Sequence, residues 1–142
     1  MRLGGVDIDS DVHCVGHSDG DAICHAVTDA LLGAAALGDI GEMFPDTDPA
    51  HKGKDSAVML AAAVDRLRAA GWRASNVDVT VITERPKIGP HRAAIRARLA
   101  DVLSMSRDDV FLKGKTNEGM GSIGRGEGLA VMAVAMIVRF VE

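Results

Sequence analysis

Hydrophobic positions along this chain switch between alternating and helical spacing, and the switches mark the elements. Arg2–Ile8 (RLGGVDI) reads as a short strand and Asp9–Gly16 as a connection. From there the spacing lengthens. Ile23, Val27, Ala30, Leu31 and Ala34 recur every three to four residues, which predicts a helix with one buried stripe. Ser18 or Asp19 is placed to cap it, Asp21 falls in its first turn, and Gly38 and Gly41 mark its end. Glu42–Gly53 (EMFPDTDPAHKG), with two prolines and three acids, is a loop. Asp55/Ser56 caps a second helix, with Val58, Leu60, Ala61, Val64 and Leu67 on one side and Gly71 as its stop. Val77–Thr83 (VDVTVIT) alternates and is β-branched, so it is a strand. Glu84–Pro90 is a turn, and Pro90 opens a third helix over about His91–Leu103 that buries Ile95, Leu99, Val102 and Leu103. Asp109–Lys115 is a further strand. Thr116–Gly128 (TNEGMGSIGRGEG) carries five glycines, and Leu129–Val141 reads as a last strand, with a helix as the other option.

This order predicts an α+β fold: a single-layer mixed sheet with helices packed on one face, in a ferredoxin-like arrangement. No repeat or linker divides residues 1–142, so one domain is expected. Composition narrows the function classes. Hydrophobic content of 47% indicates a globular chain, and a net charge of −4 argues against a nucleic-acid partner. No apolar run is long enough to span a bilayer, and no signal or transit peptide is expected before the fold. Cys14 and Cys24 have no disulfide-framework spacing, so a reduced, cytoplasmic setting is expected. Tyrosine is absent and aromatics make up 3%, which leaves Ala, Val, Leu, Ile and Met for the core and no stacking platform for single strands.

Chemistry concentrates in two stretches. Gly16–Pro49 places His17, His25, Asp19, Asp21, Asp39 and Asp46 around one apolar helix. Asp21, His25 and Asp29 are spaced four apart and share a face, so His25 points away from the buried stripe with a carboxylate one turn before it. A neighbouring carboxylate is how a metal-ligating histidine is usually oriented; a solvated histidine on an ion-paired face is the alternative. The Gly-rich stretch is neither a P-loop nor a dinucleotide fingerprint. Its backbone N–H groups beside Lys115, Thr116 and Arg125 can still cradle phosphate, and Glu118 can hold a hard divalent cation. A plain glycine-rich turn between strands remains the other reading.

The run HSDGDAICHAVTDALLGAAALGDIGEMFPDTDP closely resembles the signature of the methylerythritol cyclodiphosphate synthase family of the non-mevalonate isoprenoid pathway. The resemblance continues through Lys52–Ser56, Asn76–Thr80, Pro86–His91 and Gly124–Gly128 and covers essentially the whole chain. It implies a lyase that cyclises a cytidine-diphosphate-linked methylerythritol phosphate and releases CMP. It also implies a homotrimer with sites at subunit boundaries, each with a zinc or similar transition ion and a magnesium or manganese ion.

On this resemblance His25 matches a zinc ligand, and His17 and Ser18 match contacts to the substrate phosphate and methylerythritol moiety. Asp39-Ile40-Gly41 and Phe44-Pro45-Asp46-Thr47-Asp48 match substrate-contacting loops, with Asp46 on the sugar-alcohol hydroxyls. Thr83–Gly89, including Pro86, Lys87, Ile88 and Gly89, matches the pocket that reads cytosine. Thr116 matches a phosphate contact in the transition state, Glu118 the ligand of the second metal and Arg125 a further phosphate contact. Lys115, Asn117 and Ser122 join them as candidate substrate contacts, and His17 and Thr116 are the candidate catalytic pair.

Two departures from the family pattern stand out. Lys115-Thr116-Asn117-Glu118 replaces three threonines before the glutamate. The family's opening strand, whose Asp-x-His completes the zinc site, has no counterpart before Arg2-Leu3-Gly4-Gly5-Val6, so an N-terminally truncated chain is expected. Asp11-Val12-His13 has the Asp-x-His form but lies in the connection, downstream of where that pair belongs; it is expected to be a decoy. Two rival readings follow: a trimeric relic that binds cytidine nucleotide without turnover, and a generic metal-dependent phosphoesterase.

Overall fold

The computed structural model describes residues 1–140. The chain opens on a hairpin, β1 (Arg2–Leu3) against β2 (Val6–Asp7), where one strand was expected. The reason is local. Gly4 and Gly5 have φ of +60° and +73°, the left-handed pair that a tight two-residue hairpin turn requires. A Cβ on Gly4 would also collide with Ile95, so glycine is needed there twice over.

Helix α1 (Ala22–Ala34) buries Ile23, Val27 and Leu31 as the spacing predicts. Its cap is Asp21, not Ser18 or Asp19. The Asp21 carboxylate accepts from the N–H of Ile23 and of Cys24. The short α2 (Ile40–Met43), capped by Asp39, follows, and a 3-10 turn at Pro49–His51 breaks the expected loop. Helix α3 (Ser56–Ala69) starts at the expected cap, Asp55, but Val58 is 54% exposed; Ala57, Met59 and Ala63 join Leu60, Val64 and Leu67 in the core instead.

Strand β3 (Trp72–Ile82) begins five residues before the β-branched run, because its first half pairs with β5 (Ala130–Arg139) beyond the reach of β4 (Val110–Lys115). Helix α4 (Arg92–Leu103) crosses from β3 to β4. The sheet runs β4-β3-β5, with β3 and β4 parallel and β3 and β5 antiparallel. The mixed sheet is therefore as expected, and the last segment is strand rather than helix; Val141 lies outside the described residues. Within the Gly-rich stretch, Gly121–Gly124 forms a one-turn helix, α5.

Helices α1, α3 and α4 pack on one face of this sheet. That face carries Val77, Val79, Val81, Val110 and Leu112, all buried, with Val131, Ala133, Ala135 and Ile137 at its margin. The opposite face carries Asp78, Thr80, Lys113 and the exposed Phe111, Met132, Val134 and Met136. Among the described residues no helix is long and apolar enough to cross a membrane.

Candidate active site

The amino end of α1 is built on buried charge. Asp21 is fully buried, and besides capping the helix it accepts from the N–H of Gly4 (2.8 Å) and Gly5 (2.6 Å). Four backbone donors therefore converge on one carboxylate and lock the hairpin turn to the helix. The same commitment means that Asp21 does not orient the His25 ring, as the four-residue spacing had suggested.

Two serines do so instead. His25 Nε2 lies 3.0 Å from Ser18 Oγ and 2.9 Å from Ser56 Oγ. The Ser56 hydroxyl donates to Asp19 Oδ1 at 2.5 Å, and its N–H donates to Asp19 Oδ2 at 3.1 Å. Arg2 closes the network with Nε 3.2 Å from Asp19 and Nη2 3.0 Å from Asp55. Burial alone would push the Asp19 carboxyl up. The Ser56 hydroxyl and N–H, the Asp21 N–H and the Arg2 guanidinium together outweigh it and hold that carboxyl below the ordinary carboxylate range. Backbone bonds from Gly53 N to His17 O (2.9 Å) and from Asp19 N to Lys54 O (3.3 Å) lay the two segments side by side. His17 itself is exposed.

Beyond this network, Phe44 packs edge-on against His51 with centroids 5.4 Å apart, and Lys54 lies over the Phe44 ring at 5.3 Å. Pro45, Asp46, Thr47 and Asp48 are exposed in the loop so braced, and Asp39, Ile40 and Gly41 stand at the start of α2.

An open cleft of about 470 Å³ lies between the 12–16 connection, the start of α1, Thr83, Arg85 and Gly126–Leu129. His13 and His25 both line it, while Asp11 is paired with Arg85 at 2.6 Å. Among the described residues no three His, Cys, Asp or Glu side chains converge as metal ligands. Cys14 lines the same cleft and Cys24 is buried in α1; burial pushes both thiols up, so neither is a poised nucleophile.

A second cleft, of about 330 Å³, is lined by Thr83, Pro86–Pro90, Arg92, Gly114, Lys115 and Thr116. Its floor depends on Gly114, since a Cβ there would come within 2.7 Å of Ile88 Cβ. Thr83 joins the two clefts: its N–H donates to Lys115 O (2.8 Å) and its hydroxyl to Arg85 O (2.7 Å). Next to it, Glu84 Oε1 accepts from Asn117 N (2.9 Å) and more weakly from Gly119 N (3.4 Å). Glu118 is exposed at φ +52°, its carboxylate 3.4 Å from the Thr116 hydroxyl. Ser122 is exposed in α5, and the exposed Arg125 is paired with Glu127 at 2.7 Å.

The structure thus gathers Thr83, Pro86–Gly89, Lys115 and Thr116 around one cleft and Ser18 and His25 into one network. Neither cleft is lined by His17, Asp46 or Arg125. Sequence reasoning treats Ser56 as a helix cap and Asp19 as one of several polar groups flanking α1 without joining them to each other or to His25, and it reads Glu84 only within the Thr83–Gly89 stretch. An Asp or Ser at a predicted helix start was visible, but its partner across 37 residues of chain was not.

The YgbB family model matches residues 1–138. A 2-C-methyl-D-erythritol 2,4-cyclodiphosphate synthase of Gemmatimonas aurantiaca is 75% identical over 138 residues, covering 97% of this chain and 83% of the relative. The solved bifunctional IspDF of Campylobacter jejuni superposes with a TM-score of 0.94 at 37% identity, covering all of this chain and 38% of that one. A CDP-bound 2C-methyl-D-erythritol-2,4-cyclodiphosphate synthase superposes at 0.89 with 39% identity, covering 97% of this chain and 89% of that one.

Proposed function

This chain belongs to the YgbB family and is an enzyme of the cyclodiphosphate synthase kind. On that premise we propose that it converts 4-diphosphocytidyl-2-C-methyl-D-erythritol 2-phosphate to the 2,4-cyclodiphosphate and CMP. An oxygen of the 2-phosphate bonds to the β-phosphorus. The bond from that phosphorus to the oxygen bridging the α-phosphate breaks, and CMP leaves with that oxygen and its electron pair. The reaction needs no protein nucleophile. It needs two anionic groups held in line and their repulsion reduced.

The observation that carries this reading is the cleft of Thr83 and Pro86–Pro90 beside Lys115 and Thr116. It has room for a nucleoside, and Lys87, Arg92 and Lys115 on its lining supply cations for a diphosphate. Thr116 and Lys115 then contact the phosphates, with Asn117, Ser122 and Arg125 on the same loop. His17 and Ser18 take the 2-phosphate and methylerythritol end, and Asp39–Gly41 with Phe44–Asp48 hold the sugar-alcohol hydroxyls through Asp46. These groups do not share a cleft within one chain, which supports a site completed across a subunit boundary. The sheet face carrying Phe111, Met132, Val134 and Met136, each 44–71% exposed, supports a homotrimer. A threefold mass by light scattering is the expected result, and a clean monomer at micromolar concentration would count against shared sites. A ferredoxin-like arrangement of the sheet, a single domain over residues 1–142 and a cytoplasmic setting belong to the same reading.

Divalent cations enter in two ways. Glu118 fits magnesium or manganese: a lone exposed carboxylate beside a phosphate-binding threonine suits a hard cation that takes its other ligands from phosphate and water. Such an ion would neutralise charge building between the two phosphates. Zinc is different, because among the described residues His25 is joined by no two further donors and faces serine hydroxyls. No step above depends on it. The same observation favours a second reading, a nucleotide-binding trimer without turnover. Phosphorus NMR of the substrate with enzyme and magnesium separates the readings. Cyclodiphosphate with CMP is expected, binding without product favours the second reading, and inorganic phosphate would overturn both in favour of a phosphoesterase.

A further inference from the structure

Arg92 opens α4 at the rim of the smaller cleft, among Lys87, Gly89, Lys115 and Thr116. It is half-buried, and its Nε is buried with no hydrogen-bond partner among the described residues. A guanidinium donor withdrawn from water without an acceptor is costly, and such a group in a folded protein calls for an explanation. Neutralisation by a neighbour is not that explanation. Among the described residues Arg92 forms no ion pair, and the cleft it lines holds three cations, Lys87, Arg92 and Lys115, and no Asp or Glu.

The arginine one turn later supplies the contrast. Arg92 and Arg96 both lie over the Phe111 ring, at 5.8 and 5.0 Å from its centroid. Arg96 is engaged by backbone carbonyls: its Nε donates to Val110 O and its Nη2 to Arg107 O, both at 2.6 Å. Two like charges thus share one ring, and among the described residues Arg96, which does not line the cleft, has hydrogen-bond acceptors while Arg92, which does, has none. The repulsion between them is relieved by an anion on the cleft side.

We infer that Arg92 is a phosphate-binding residue of this cleft, donating from the accessible part of its guanidinium to a phosphate oxygen of the bound cytidine nucleotide. The inference rests on the cytidine-diphosphate reading above and adds a residue to it. A guanidinium stays charged and offers several donors in a fixed plane, which matches phosphate oxygens in a way that a lysine ammonium does not.

The test is calorimetric titration of CDP, cytidine and inorganic pyrophosphate into wild type, Arg92→Met and Arg92→Lys, with thermal unfolding as the check on folding. Arg92→Met is expected to weaken CDP about tenfold, the size of one lost charge-assisted bond. It should leave cytidine within about twofold, and Arg92→Lys should recover only part of the CDP loss. Equal CDP affinity in wild type and Arg92→Met overturns the inference. So does a parallel loss of cytidine, which would make Arg92 a wall of the nucleoside pocket. If Arg92→Met does not fold, Arg92→Lys decides: full CDP affinity overturns the role. Pyrophosphate binding that depends on Arg92, in a wild type that does not bind CDP, would leave the phosphate role standing and remove the cytidine reading. A wild type that binds neither removes both.

Discussion

The amino end of α1 and the glycine-rich loop after β4 both collect polar side chains, and they hold them in opposite ways. At α1 the groups are buried or half-buried and cross-linked to one another: Asp21 takes four backbone donors, and Asp19, Ser56, His25 and Ser18 form a continuous chain of hydrogen bonds. In the loop, Thr116, Glu118, Ser122 and Arg125 are exposed, and among the described residues Glu84 alone reaches in from outside with a side chain to fix the backbone. The first region is preorganised by folding itself. The second keeps its donors and charges in water, where they remain available to a phosphate. Damage to the first should therefore appear as lost stability, and damage to the second as lost binding or turnover with stability intact.

Asp21→Ala is the severest way to test that division. It leaves four N–H groups without their acceptor and unlocks the hairpin from α1, so it is expected to cost about 3 kcal/mol or more in urea unfolding. A loss under about 1 kcal/mol would mean that water replaces the carboxylate and that this end is less preorganised than its bonding implies.

Gly114→Ala lies between the two regions. The added methyl meets Ile88 at the floor of the smaller cleft and should cost about 1–3 kcal/mol, with a matching loss of CDP affinity. Ile88→Val in the same chain makes room, so the double variant should regain part of both. Strict additivity would place the strain elsewhere.

How much of this was legible beforehand follows the same division. The buried stripes of α1 and α4 and the alternation of β3 were set by local period, so Ile23, Val27, Leu31, Ile95, Leu99, Val77 and Val79 were readable as core. The opening hairpin was readable too, from two adjacent glycines, but the apolar residues around them suggested a continuous strand. Val58 was misassigned because a valine three residues into a helix counts toward a stripe on periodicity, while the sheet beneath decides which side is covered. His25 was placed on the right helix with the wrong neighbour: spacing along one helix sees Asp21, and only packing brings Ser56 from another. Short motifs of the loops carried the candidate contacts, because their chemistry needs exposed residues in sequence order and little tertiary help.

Ser56→Ala sharpens the comparison within the buried region. It removes a hydrogen bond to an ionised partner and is expected to cost about 1.5–3 kcal/mol at neutral pH. The sign of its pH dependence is fixed by Asp19. Its carboxyl is held below the unfolded value in the native state, so its contribution is present above the unfolded pKa and is lost as pH falls through the folded one. Ser56→Ala relaxes that depression. The gap between wild type and variant should therefore be full above about pH 5 and shrink as Asp19 protonates in more acid solution. A gap independent of pH would assign the loss to packing and to the hydroxyl's contacts with His25 and Ser18 alone.

The smallest expected change in stability belongs to Glu118→Gln, and it is the cleanest test of the exposed region. Among the described residues the exposed Glu118 carboxylate accepts one hydrogen bond, from the Thr116 hydroxyl at 3.4 Å, so its removal should shift unfolding by less than about 0.5 kcal/mol. Its value lies in charge. A bare carboxylate beside two phosphates repels them, and only a divalent cation between them turns that repulsion into attraction. In the absence of magnesium, Glu118→Gln should bind CDP as well as wild type or better. With magnesium, wild type should gain affinity and turnover while the variant gains little, so the two curves cross as the metal is titrated. Equal loss of binding with and without metal would give Glu118 a structural role, and the loop would then resemble the amino end of α1 rather than oppose it.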